Sequence, residues 1–355
     1  MKGQGVMATG VSVRPRRSPS PRLMSTRPRA LASWLIGNGE RVCTPVVIGR
    51  VGAGQSNVTS IVADGEGRQW VLREPLPGDE AANARAVARE AGTIAALANS
   101  GIPVPRIIGI GESRGGGSFF VMQRMAGGVL EDDTQLTDPG RRYQIGVDVI
   151  ATLARLHRLD PALLRRAISE SPSLHRQIGQ VSDVWLRVGS GCIHDAGWRA
   201  VRSRLIERLP HPQNPAVIMH GDFRLSNLLV CGGRVSAVLD WEHATVGDPL
   251  VDLAWLLEDW RSVDDSPLSR YAPAHADGFP TPSKMIEIYR NETGFELDRL
   301  SYYRGFTQWR QASLAQAVVM RYRMGSMDDR GVIDCDMLDE SIAGLLTSAA
   351  VQLKE

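Results

Sequence analysis

Lysine is almost missing from this chain. Of its 355 residues only Lys2, Lys284 and Lys354 are lysines, so nearly all of the 41 basic residues are arginine. No lysine lies between Lys2 and Lys284, which leaves a guanidinium as the only strong cation for any phosphate site built in that stretch. The four cysteines (Cys43, Cys192, Cys231, Cys335) lie far apart, with no C-x-x-C pair and no Cys/His spacing that suits zinc. That argues against a disulfide scaffold and for buried or incidental thiols in a reducing compartment, so a cytoplasmic location is expected. No run of 18 or more apolar residues occurs, so no membrane span is expected. With a net charge of +2 the overall field argues neither for nor against nucleic acid, and no nucleic-acid partner is expected. There is no internal repeat, and low complexity is confined to the first thirty residues.

What remains has the make-up of an ordinary globular enzyme, 43% hydrophobic and 23% charged, long enough for one large or two moderate domains. The opening "VRPRRSPSPRLMSTRPRA" is basic, rich in Pro and Ser and free of acids. We read residues 1–30 as a disordered basic tail or a start assigned too early, since Met24 lies within it, and leave them out of the fold.

Beyond "LASWLIG" the chain reads as short β-branched runs punctuated by glycine: 44–51, 58–64 and 68–74, an antiparallel meander. Residues 79–101 carry Val87, Ile94 and Leu97 at helical spacing, with acids at the start and Gly101 at the end. "PRIIGIGES" and "GSFFVMQRM" are again strands, and Gly127-Gly128 breaks the pattern. From there the character is helical: 138–158 presents Ile145, Val149, Leu153 and Leu156 on one face, and further helices read near 197–208, 249–260, 282–292, 300–323 and 336–353. Strand character in this half is limited to about 217–241. The expectation is an α+β, two-lobed architecture, with a small antiparallel sheet and one helix in 31–126 and a larger, mostly helical lobe in 127–355.

The chemistry concentrates in "VIMHGDFRLSNLLV" (217–230) and in the stretch from there to Asp252. Here Asp222 and Asn227 stand five apart between two apolar runs, too polar for a core and too tightly flanked for a free loop. Leu228 to Val230, a Gly232-Gly233 turn and Val235 to Leu239 predict a β-hairpin, which would bring Asp240 beside Asn227 and Asp222. Asn227 and Asp240 are hard oxygen donors that suit Mg²⁺ better than zinc. Asp222 is then free to orient a substrate hydroxyl and accept its proton. Each of the three, taken singly, reads as a turn or cap residue; it is their joint spacing that points to a site. Asp248-Pro249 reads as a helix N-cap with proline at the first helical position.

His220-Gly221-Asp222 with Asn227, then Leu239-Asp240-Trp241-Glu242, Gly247-Asp248 and Asp252, resembles the catalytic segment of the aminoglycoside phosphotransferase family, which has a protein-kinase-like fold. The resemblance covers nearly the whole chain after residue 30. It implies that Asp222 is the catalytic base, that Asn227 and Asp240 hold Mg²⁺, and that Asp252 anchors the catalytic loop. It also implies a phosphate loop in "GAGQSN" (Gly54, Gln55, Ser56, Asn57), an adenine contact from Val71, an α/β-phosphate contact from Arg73 steadied by Glu90, and a base-reading hinge from Gln123 to Met125. ATP or GTP is the implied donor. Arg73 stands where the family usually has lysine. The arginine in "VLR", with "GQSN" and "WVLREPLPG", is similar to the branch related to kinase-like domains fused to acyl-CoA dehydrogenases in animals.

The expected function is therefore an ATP/Mg²⁺-dependent phosphotransferase acting on a small-molecule hydroxyl. By the branch resemblance the acceptor is a hydroxyacyl-CoA or related lipid metabolite; Arg299, Arg304, Arg310, Arg321 and Arg323 either meet its phosphates or are simply solvated, and the solvated reading is preferred. Competing readings are a catalytically idle kinase-like binding module, motivated by Arg73, an aminoglycoside-type antibiotic kinase, and a metal-dependent hydrolase using Asp222, Asp240 and Glu242.

Overall fold

The computed structural model describes residues 28–354 apart from 52–56, 77, 113–116, 131–137, 166, 169–171, 261–273, 275–276 and 325–334. Five strands, β1 (Val47–Val51), β2 (Asn57–Ala63), β3 (Gln69–Pro75), β4 (Ile107–Glu112) and β5 (Ser118–Gln123), form one antiparallel sheet in the order β1-β2-β3-β5-β4. The turn between β2 and β3 is organised by Asp64, whose carboxylate accepts from the amides of Cys43, Glu66 and Arg68.

Strand alternation gives this sheet two different faces. Trp70 and Leu72 of β3, with Phe119 and Val121 of β5, pack against Leu31 and Leu35 of α1 (Pro28–Gly37). Phe120 and Met122 point the other way and join Val87, Ala91 and Ile94 of α2 (Glu80–Leu97) in the main core. Asp79 caps α2 by accepting from the amides of Ala81 and Ala82. Helix α1 starts at Pro28, so residues 28–30, assigned to the tail from sequence, belong to a helix that covers the outer sheet face.

The rest is helical: α3 (Pro139–His157), α4 (Leu174–Val188), α5 (Asp195–Glu207), α6 (Pro249–Leu257), α7 (Pro282–Thr293), α8 (Leu300–Arg323) and α9 (Cys335–Gln352). Asp138 and Asp248 cap α3 and α6, each ahead of a proline in the first turn. Helix α4 escaped the sequence reading because it buries only Ile178, Ser182 and Trp185, a stripe with two apolar anchors. Those anchors matter: Trp185 stacks on Trp198, which stacks on Trp309 of α8, with centroids 4.8 and 4.7 Å apart. Two short ladders complete the lobe, β6 (Val217–Met219) with β9 (Thr245–Gly247) and β7 (Leu228–Cys231) with β8 (Arg234–Val238). Strand β9, three residues long, went unread for want of length. Among the described residues no helix is long and apolar enough to cross a membrane.

Candidate active site

The β7–β8 hairpin forms as read, turning through Gly232 and Gly233 with φ of 60° and 81°, the paired left-handed conformation of a two-residue hairpin turn. Its mouth is closed by the Leu239 amide, which donates to the Asn227 carbonyl at 2.9 Å. Asn227 and Asp240 are thereby set side by side. Asp240 itself has φ of 66° and is the one non-glycine residue with positive φ among the described residues, so the backbone is held in a sparsely used conformation where the carboxylate must be aimed.

The loop before β7 is fixed from below. Asp252 on α6 is fully buried and accepts from the amides of His220 at 2.6 Å and Gly221 at 2.9 Å. His157 Nε2 approaches the same carboxylate at 3.4 Å, and His157 Nδ1 lies 2.6 Å from the Tyr289 hydroxyl. Burial pushes the Asp252 carboxyl up, but the hydrogen bonds it takes from His157 and the His220 amide, with the favourable electrostatics of both residues, outweigh it and hold it below the usual carboxylate range. His220 is pinned twice more: its Nδ1 accepts from the Asp222 amide at 3.2 Å, so Nε2 carries the proton and donates to the Leu239 carbonyl at 2.8 Å. Gly221 has φ of 83°, and a Cβ there would lie 2.5 Å from the His243 carbonyl oxygen, so only glycine fits.

Asp222 sits on this platform with both carboxylate oxygens engaged. Trp255 Nε1 donates to Oδ1 at 2.6 Å and Asn227 Nδ2 donates to Oδ2 at 2.7 Å. Asn227 Nδ2 also donates to the Asp222 carbonyl at 2.9 Å. Trp255 was missed from sequence, although the signal was there: it lies three residues after Asp252, on the same face of α6.

On the sheet side, Arg73 is largely buried and donates to Thr59 Oγ1 at 3.0 Å, Glu90 Oε1 at 2.8 Å and Asp240 Oδ1 at 2.6 Å. The predicted pairing with Glu90 is present, and the contact to Asp240 is an addition the sequence did not suggest. Arg73 stays charged between its two acids, which outweigh the downward pull of burial. Burial pushes the Glu90 carboxyl up to about 7 against the pull of Arg73, with Asp240 adding to the rise.

A cavity of about 310 Å³ opens between sheet and hairpin, lined by Val71, Arg73, Met122, Met125, Asn227 and Asp240 among others. Glu90 and Gln123 line it too. Of the two hinge positions, the Gln123 amide is committed to the Arg106 carbonyl at 2.8 Å, whereas no hydrogen bond engages the Met125 backbone among the described residues. Asn57 departs from expectation: it opens β2 and its Nδ2 donates to Glu242 Oε2 at 2.9 Å, so its side chain ties β2 to the catalytic segment and does not line the cavity. Gly54, Gln55 and Ser56 lie outside the described residues.

The donor set fits a hard divalent cation. Asn227 spends its Nδ2 on Asp222, which turns Oδ1 away from that carboxylate, and Asp240 spends Oδ1 on Arg73 and leaves Oδ2. One amide and one carboxylate oxygen beside a cavity suit an ion that takes few protein ligands and completes its shell with phosphate and water. No group of three or more His, Cys, Asp or Glu side chains able to hold a metal exists among the described residues.

The profile of the phosphotransferase enzyme family APH matches residues 47–287. Acyl-CoA dehydrogenase family member 11 of Homo sapiens is 31% identical over 83% of this chain, and acyl-CoA dehydrogenase family member 10 of Mus musculus is 28% identical over 93%. The chain spans 39% and 32% of those two proteins' lengths. Hygromycin-B 4-O-kinase of Escherichia coli is 26% identical over 53% of the chain. Among solved structures, a Ralstonia eutropha protein provisionally assigned to the aminoglycoside phosphotransferases covers 92% of this chain, itself covered to 98%, with a TM-score of 0.75 at 22% identity. The GDP complex of aminoglycoside 2'-phosphotransferase-IIIa covers 92%, itself covered to 99%, with a TM-score of 0.62 at 16% identity. The kinase-like two-lobed fold is common to these structures, and the chain belongs to the APH phosphotransferase enzyme family, whose members move phosphate onto hydroxyl groups of small molecules.

Proposed function

We propose that the chain transfers the γ-phosphoryl group of ATP, with Mg²⁺, to a hydroxyl of a small acyl metabolite, with a hydroxyacyl-CoA or related thioester as acceptor. The observation that carries the reading is the junction at the hairpin mouth, where Asp222, Asn227 and Asp240 converge with the Arg73–Glu90 pair. The acceptor class is supported by the similarity to acyl-CoA dehydrogenase family members over most of the chain.

In this reading Asp222 takes the proton of the acceptor hydroxyl as its oxygen bonds the γ-phosphorus, and the bond to the bridging oxygen breaks to release ADP. Trp255 and Asn227 fix both carboxylate oxygens, so the base is oriented before substrate arrives. Asn227 Oδ1 and Asp240 would hold Mg²⁺, which when bound screens the phosphate oxygens. Arg73, steadied by Glu90, would position the α/β-phosphates, Val71 would pack on the base, and Met125 would meet its edge through the backbone.

Calorimetric titration of ATP with and without MgCl₂, then a phosphate-transfer assay on a hydroxyacyl-CoA series, tests this. Mg²⁺-dependent ATP binding with ADP and phosphoryl ester as products is expected. Failure of ATP to bind would favour the idle-module reading, and transfer to hygromycin B but to no hydroxyacyl thioester would favour an antibiotic kinase.

A further inference from the structure

Behind the catalytic loop lies a second cavity, of about 520 Å³, lined by Gly221, Glu242, Arg89, Phe306 and Arg310 among others. Arg310 on its wall is linked to Asp222 through one intervening side chain. The Arg310 guanidinium lies over the Trp255 ring at 4.8 Å from its centroid, and the same indole donates to Asp222 Oδ1 at 2.6 Å.

The charges around this cavity do not balance. Glu242 is engaged by Asn57 at 2.9 Å and His243 at 3.4 Å, and Arg89 donates to the Glu242 carbonyl at 3.0 Å. Asp252 is occupied by the loop amides, and Asp222 by Trp255 and Asn227. Arg310 makes no hydrogen bond and no ion pair among the described residues, whereas Arg304 and Arg323 of the same helix pair with Glu258 at 3.7 Å and Asp339 at 3.0 Å. Burial lowers the Arg310 pKa, partly offset by the more distant Asp222 and Asp252, the mark of a guanidinium short of an anion.

We infer that Arg310 is the specificity residue for the acceptor, binding a carboxylate or phosphate of the molecule whose hydroxyl is presented to Asp222. The inference rests on the phosphotransferase reading of the site. A guanidinium backed by an indole offers its N–H donors to the cavity, and a bidentate anion is what that fork fits. A polycationic acceptor would meet Arg310 and Arg89 as like charges. The anion fixes the acceptor at one end while Asp222 holds its hydroxyl at the other.

The test is acceptor binding by calorimetry with ADP and MgCl₂ present, which needs no turnover. The probes are β-hydroxybutyrate, its neutral methyl ester, β-hydroxybutyryl-CoA and β-hydroxybutyryl-pantetheine, the last lacking phosphate. At least one anionic member should bind wild type more tightly than its neutral counterpart. Arg310→Met should weaken it by roughly ten- to a hundredfold, the range of a lost charged hydrogen bond, and leave the neutral probes and ADP unchanged. Arg310→Lys, which keeps the charge, should recover part of the loss and covers the case in which the Met variant folds poorly. A carboxylate effect names an acid group and a CoA-only effect names phosphate. Equal binding of charged and neutral probes, an unchanged Arg310→Met, or no anionic probe bound at millimolar concentration would each overturn the inference. Failure of ADP itself to bind strikes the phosphotransferase reading instead, and the same probe comparison is then made without nucleotide.

Discussion

Two arginines flank the catalytic loop, and the chain treats them in opposite ways. On the nucleotide side Arg73 is held by Glu90, Asp240 and Thr59, so its charge is answered within the protein. On the far side Arg310 rests on Trp255 with no ion pair among the described residues. The first cavity is electrostatically assembled before any ligand arrives, as suits a donor common to a whole family. The second is left for the ligand to complete, and that is where related chains can diverge in what they phosphorylate without disturbing the transfer machinery.

The contrast holds only if the platform between the two sides is rigid, so the largest effect is expected at Asp252. Replacing it with alanine strands two buried amides and should cost about 3–5 kcal/mol, the range for breaking a buried charged network. Urea unfolding measures this, and a loss under about 1 kcal/mol would mean the loop stands without it. The same residue sets an acid limit. Its folded pKa lies below its unfolded value of roughly 3.9, so its contribution is whole above that pH and is lost as pH falls through the lower, folded value. Wild-type stability should therefore drop in that acid window, and Asp252→Ala should show a smaller drop, the remainder coming from other carboxyls held low such as Asp64 and Asp195.

Next in size is Asp222→Asn. It should lower kcat by roughly a hundredfold or more while ATP affinity is retained, because the side chain works on the acceptor and not on the nucleotide. A variant keeping more than about a tenth of the activity would remove Asp222 as base. Asp240→Ala separates the two sides more finely. It should abolish the Mg²⁺-dependent part of nucleotide-induced thermal stabilisation, yet leave ligand-free melting almost unchanged because Arg73 keeps Glu90. A large fall in ligand-free melting would make Asp240 a structural partner of Arg73 first. Arg73→Lys is the smallest change, a few-fold loss in ATP affinity, since an ammonium keeps the charge but not the fork that reaches Glu90 and Asp240 together. An unchanged affinity would show that the arginine is not required for phosphate positioning.

Much of this was legible in the chain because local rules were obeyed. Alternation along "QWVLRE" set Val71 and Arg73 on one face, and both line the cavity between sheet and hairpin. Asp248-Pro249 announced its helix by capping chemistry, the acids at the start of 79–101 and the apolar face of 138–158 announced two more, and Gly232-Gly233 announced the hairpin. What escaped depended on distant partners. Nothing in "WEH" shows that Glu242 will be met by Asn57 from 185 positions away, and nothing near Arg310 shows that α6 will slide an indole beneath it. Asn57 itself was drawn into a phosphate loop by its neighbours, when its own side chain points to the other lobe. Helix α1 went unread: residues 28–30 were set aside with the basic stretch before them and 31–37 were given no helix, although Leu31 and Leu35 are spaced one helical turn apart.

That helix has a practical consequence for anyone cutting the chain. Leu31 and Leu35 are completely buried, and without them Val62, Leu72, Phe119 and Val121 would form a continuous oily plate on the outer side of the sheet. An expression fragment begun at the first strand would carry every residue of the nucleotide cavity and still present that plate to solvent, where plates meet one another and precipitate. Fragments meant to isolate the nucleotide site should therefore begin no later than Pro28.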